Sequence, residues 1–133
     1  MVSNPPLQLG DLIIGESAIT INNIMESQPR EIQRYVTPDG KIPFDQWYES
    51  LSDAKTQYKI DARIERIALG NLGDYRFLGA GVYEFRINYG PGYRLYFGQI
   101  GLKIVLLLFG GDKSTQKQDI RQAQEYWKDY DKH

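Results

Sequence analysis

Residues 79–120, GAGVYEFRINYGPGYRLYFGQIGLKIVLLLFGGDKSTQKQDI, read as a strand, a glycine–proline turn, a second strand, an apolar third strand and a basic-polar loop that opens a helix. From Tyr83 to Tyr89 the odd positions are Tyr, Phe, Ile and Tyr, and the even ones Glu, Arg and Asn. From Tyr93 to Phe97 the odd positions are Tyr, Leu and Phe, and the even ones Arg and Tyr. Alternation with period two predicts a sheet with one face packed on helices and the other open to water. With Gly90-Pro91-Gly92 as the turn, register parity puts Arg86 near Tyr96 and Arg94 near Asn88, so both arginines project from the open face. Ile104 to Phe109 shows no alternation and is expected to be a central strand buried on both faces. Gly110-Gly111 lets the chain turn at the sheet rim, and Thr115 to Gln118 has the form of a capping box with Thr115 as N-cap. Ile120, Ala123, Trp127 and Tyr130 then line the last helix.

Upstream, Glu31 to Val36 is a strand candidate closed by Thr37-Pro38-Asp39-Gly40, in which proline presets φ and glycine accepts φ > 0. Phe44, Trp47, Tyr48 and Leu51 recur at i, i+3, i+4 and i+7, one face of a short helix with Pro43 in its first turn. Ser52-Asp53 separates it from a second helix over Ala54 to Leu69. Tyr58, Ile60, Ile64, Ile67 and Ala68 form its buried side, and Gly70 stands at its C-terminal cap. The elements add up to an α+β domain over 31–133. Residues 1–30 carry Asn4-Pro5-Pro6 and two short apolar runs, Leu12–Ile14 and Ala18–Ile21, before a second methionine at Met25. They are either a small hairpin leading into the domain or an extension outside it, and the extension is the expectation.

The chain has 133 residues, a length that suits one domain with a real core. It has no cysteine, and its one histidine is His133. Thiol catalysis, zinc cages and histidine general bases are thereby set aside, and any chemistry must run on Arg, Lys, Tyr, Asp or Glu. No apolar run approaches the length of a bilayer span, and no basic flank precedes an apolar stretch at the N-terminus, so a cytoplasmic location without a membrane partner is expected. The formal net charge of −1 conceals an asymmetry. Between Tyr75 and Arg121 seven bases (Arg76, Arg86, Arg94, Lys103, Lys113, Lys117, Arg121) stand against Glu84, Asp112 and Asp119. A local positive field of this kind suits a polyanion.

Three pieces carry a resemblance: TPDGKIPFDQWYESL (37–51), GNLGDYRFLGAGVYEFRINYGPGYRLYF (70–97) and LLLFGGDKSTQKQDI (106–120). Together they resemble the addiction-module killer proteins of the RelE/HigB toxin superfamily, in its phage Gp49-like branch, over residues 33–127. The resemblance implies a RelE-like toxin fold: an N-terminal strand and a helical hairpin packed on an antiparallel sheet with a C-terminal helix. It implies the toxin of a type II toxin–antitoxin system, a ribosome-dependent mRNA endonuclease that needs no metal or cofactor and uses the 2′-OH as nucleophile. Its partners would be mRNA, the ribosome and a cognate helix-turn-helix antitoxin. By position, Arg94 matches the arginine on the scissile phosphate, Arg86 a basic residue of the preceding strand, and Lys113 the basic residue after the last strand. Lys117 and Arg76 would add contacts to nucleic acid, and Tyr93 and Tyr96 a surface for stacking bases. Glu84 is either a general base or an ion-pair partner of Arg94. As a wet-face residue, Arg94 should be replaceable by alanine with little change in melting. The same fold acting on a protein target such as DNA gyrase, or an inactive phage relic, are the alternatives.

Overall fold

A computed structural model of the chain describes residues 28–133; the two apolar runs near the N-terminus and Met25 lie outside them. The elements, in chain order, are β1 (Glu31–Arg34), α1 (Pro43–Ser50), α2 (Ala54–Ala68), β2 (Tyr75–Gly79), β3 (Val82–Ile87), β4 (Tyr93–Ile100), β5 (Ile104–Asp112), a 3-10 turn (Lys113–Thr115) and α3 (Gln116–Lys132). The strands form one open sheet in the order β1-β5-β4-β3-β2. β2 to β5 are antiparallel neighbours, whereas β1 runs parallel to β5, so the sheet is mixed rather than antiparallel throughout. The protein is α+β.

Local chemistry explains the boundaries. Pro43 opens α1, its fixed φ suiting the first helical turn. Asp53 caps α2, accepting from the Lys55 amide at 3.3 Å and from Thr56 Oγ1 at 2.8 Å. Gly70, at φ +99°, ends α2 in the left-handed conformation and donates to the Ile67 carbonyl. Thr115 does stand at the N-cap of α3, but its hydroxyl donates to the Asp119 carboxylate rather than accepting from an α3 amide. Asp112 instead caps the 3-10 turn, accepting from the Ser114 amide at 2.8 Å.

Both sheet faces are buried, which corrects the expectation of a wet one. Phe44, Ile60, Ile67, Phe85, Ile87, Leu95, Phe97, Val105 and Leu107 make the core under α1 and α2. On the opposite face Tyr35, Val82, Tyr96, Leu106, Leu108 and Ala123 pack beneath α3. As expected, β5 is an interior strand buried on both sides, but it runs on through Gly110 and Gly111, paired with Leu95 and Arg94, to Asp112 rather than turning at the glycines. Two tryptophans seat the helices: a Cβ on Gly98 of β4 would lie within 3.0 Å of the Trp127 ring, and one on Gly110 of β5 within 2.5 Å of Trp47. Within α2, Ile60 and Ile67 are buried, but Tyr58 is 68% exposed and belongs to no core.

The register of β3 with β4 also differs from expectation. Ile87 faces Tyr93 and Arg86 faces Arg94, two residues away from the anticipated pairing. Asn88 and Tyr89 leave the strand, so the loop has five residues, 88–92, closed by the Gly92 amide on the Tyr89 carbonyl at 3.0 Å. A shift of two keeps parity, so the residues assigned to each face were the right ones.

Candidate functional site

The site grows from one carboxylate. Glu84, in the middle of β3, has no exposed surface. The sheet register places Arg76 of β2 and Tyr96 of β4 on either side of it, and Arg86 two residues along the same face. Arg86 Nε donates to Glu84 Oε1 at 3.0 Å and Arg76 Nε to the same oxygen at 3.2 Å. Arg94 Nε stands 3.6 Å from Oε2 as an ion pair beyond hydrogen-bonding distance, and Oε2 accepts from Gln116 Nε2 of α3 at 2.9 Å. Three guanidinium groups thus share one carboxylate, and the cluster keeps an excess of positive charge. A sealed carboxylate held from both sides is a scaffold for the arginines, so of the two roles open to Glu84 the geometry favours the ion-pair partner.

Beyond Glu84, toward the β3–β4 loop, the face opens into a cleft of about 570 Å³. Arg86, Arg94 and Lys113, separate in sequence, line it together with the loop residues Asn88 to Gly92 and Tyr93. No carboxylate is among its lining residues. Arg94 is only 8% exposed and is held by a 2.7 Å bond from Nη1 to the Gly92 carbonyl as well as by Glu84. Gly92 makes this approach possible: its φ is +83°, and a Cβ there would sit 3.2 Å from Arg94 Nη1 and 3.8 Å from Lys113 Cβ. Lys113 is exposed and opens the 3-10 turn after β5, so its ammonium can follow a ligand. The cleft therefore combines two fixed guanidinium groups with a mobile cation. That arrangement suits a phosphodiester, whose charge fixed donors can stabilise without reorganisation.

The remaining expected contacts do not line the cleft. Lys117 is exposed on α3, and Arg76 lies over Glu84 with half of its side chain exposed. Tyr96 is a correction. Its ring is wholly buried under α3 and stacks on no ligand, because the polar-looking face of β4 is covered. Its hydroxyl lies near Glu84 but outside regular hydrogen-bonding geometry. Burial first, and then the Glu84 charge, raise its pKa above the usual tyrosine range. Asn88 and Tyr89, which the alternation had extended into the strand, are cleft-wall residues; the glycine–proline turn after them was the available signal. Among the described residues no three His, Cys, Asp or Glu side chains come together in a way that could hold a metal ion. No helix among them is long and apolar enough to cross a membrane.

No protein-family model matches the chain. It is similar to an uncharacterized protein of Haemophilus influenzae, with 45% identity over 82 residues. The match takes in 62% of this chain and 83% of the relative. Identity at that level over most of the relative's length places the two in one family, and this chain belongs to the family of that Haemophilus influenzae protein.

Proposed function

We propose that this chain is the toxin of a type II toxin–antitoxin pair, with a RelE-like fold, and that it cleaves mRNA on the ribosome in the cytoplasm. The observation that carries the reading is the meeting of Arg86, Arg94 and Lys113 in one carboxylate-free cleft. A helix-turn-helix antitoxin is the proposed partner that holds it silent.

In the proposed reaction the 2′-oxygen bonds to phosphorus and the P–O5′ bond breaks, leaving a 2′,3′-cyclic phosphate and a 5′-hydroxyl end. Negative charge builds on the phosphoryl oxygens, where Arg94 and Arg86 can offer paired N–H donors already held in place by Glu84 and the Gly92 carbonyl. Lys113 follows the charge and can deliver a proton to O5′. Proton removal from the 2′-OH falls to a group that lines the cleft, Tyr89 or Tyr93, or to water, since Glu84 is sealed. None of these roles calls for a metal, and cleavage of a naked RNA substrate is expected to survive EDTA.

The test is induction of the chain in a host cell followed by primer extension. New mRNA ends bearing 5′-hydroxyls, absent with Lys113→Ala, support the reading. An arrest of growth in which translation continues and no new ends appear would overturn it in favour of a protein target.

A further inference from the structure

The cleft has a neighbour across the β3–β4 loop. Ile87, Asn88 and Tyr89 form one of its walls, and they are also a wall of a second depression of about 380 Å³. The opposite wall is α2, through Tyr58, Lys59, Ala62, Arg63 and Arg66. The two hollows adjoin along these three residues, and no carboxylate lines either.

The spacing along α2 explains the charge of the second hollow. Lys55, Lys59, Arg63 and Arg66 fall at i, i+4, i+8 and i+11, one stripe of the helix. Asp61 lies off that stripe, where the Tyr48 hydroxyl donates to it at 2.8 Å. Arg63 turns inward and is consumed by the carbonyls of Arg86, Leu72 and Asp74. Lys55, Lys59 and Arg66 stay at the surface, exposed. The Lys55 and Lys59 ammonium groups stand 5.8 and 5.4 Å from the centre of the Tyr89 ring, and the exposed ring of Tyr58 lies in the same hollow. Cations that track a groove, interleaved with the exposed ring of Tyr58 and the half-buried ring of Tyr89, match the two repeating parts of a single-stranded polynucleotide, its phosphates and the faces of its bases.

We propose that single-stranded RNA entering the cleft continues across Asn88 and Tyr89 onto α2. Lys59 and Arg66 take its phosphates, and Tyr58 and Tyr89 support its bases. The proposal rests on the reading of the cleft as an RNA site and extends it by a stretch of strand that plays no part in the chemistry.

Fluorescence anisotropy of the full chain with uncleavable 2′-O-methyl RNA tests it, using oligomers of about three and about nine nucleotides. Lys59→Ala/Arg66→Ala should weaken the longer oligomer about tenfold at low salt. It should also lower the slope of log affinity against log salt by about 1.4, two phosphate contacts at about 0.7 each. The shorter oligomer, which fills only the cleft, should bind as before. Equal binding of the longer oligomer by variant and parent would overturn the path, as would an equal loss for both lengths, which marks a diffuse field. Lys113→Ala reports on the cleft separately: it should weaken both lengths. If it weakens neither while the α2 variant loses the longer oligomer, the cleft reading fails and α2 binds RNA by itself.

Discussion

Arg86 and Arg94 face each other directly across β3 and β4, and the carboxylate of Glu84 is what makes that pairing tolerable. Like charges opposite one another destabilise a sheet, and here a third arginine, Arg76, joins them. The cluster is therefore a store of positive charge set by a single buried anion. Glu84→Gln leaves three guanidinium groups without their counter-charge. Removing one partner of a buried pair costs about 3–5 kcal/mol, so melting should fall by more than about 10 °C. A scanning-calorimetry midpoint within a few degrees of the parent would show that Glu84 is not the clip.

Lys113 separates the proposed chemistry from stability. It is exposed and in no ion pair among the described residues, so Lys113→Ala should melt within about 0.5 kcal/mol of the parent while cleavage falls strongly. Lys128→Ala, on the distal part of α3, should be silent in both assays. Arg94→Ala should not be neutral in melting, as a wet-face residue would be, because Arg94 is buried against Glu84 and Gly92. Cleavage rates paired with melts for the three variants decide the point.

Asp119 gives a pH signature. It is buried beside Gly111, Thr115 donates to it, and burial raises its pKa above the ordinary 3.8. A carboxyl whose folded pKa is raised contributes stability that is fully present below the unfolded value and is lost as pH rises through the folded value. At neutral pH the ionised group therefore opposes folding. Asp119→Asn should melt higher than the parent at pH 7, and the difference should shrink as pH falls toward 4. A gain that does not vary with pH would mean that packing, not ionisation, governs this position.

Gly98 seats α3. In Gly98→Ala the new methyl occupies the space of the Trp127 ring, and overpacking of this kind costs about 1–3 kcal/mol. Adding Trp127→Ala removes the obstruction, so the two losses should be less than additive. Strict additivity in a double-mutant cycle would show that the ring and the glycine are not in contact.

Much of this was legible in the chain. The glycine–proline turn, the apolar run of β5 and the helical stripes located most elements, and Arg86, Arg94 and Lys113 do meet in one cleft. Three things were not. Glu84, Arg86, Arg94 and Tyr96 look like a solvent face because alternation reports polarity, and a buried ion cluster has the same polarity as a wet surface. The register slipped by two because Asn88 and Tyr89 fit the strand pattern while their backbone belongs to the loop. The edge strand β2 escaped notice because Tyr75–Gly79 shows no clean alternation and leaves Phe77 59% exposed. The bases of α2 were readable at their spacing, but only the fold brings them beside Tyr89.

The parallel pairing of β1 with β5 has a consequence for how the chain reaches its final state. Glu31 pairs with Ile104 and Arg34 with Leu107, each pair 73 positions apart in the sequence. Closing so long a loop is entropically slow, whereas the β2–β3–β4–β5 meander forms from neighbours. The meander should therefore nucleate, and β1 should dock late. During refolding, the amides of Tyr35 and Glu31, bonded to the carbonyls of Leu107 and Lys103, should be among the last to gain protection from exchange. Until then one edge of β5, the most apolar strand, stands open to pairing with another chain. Slow assembly at high concentration would favour aggregation through that edge, and the vulnerable interval lasts as long as β1 takes to arrive.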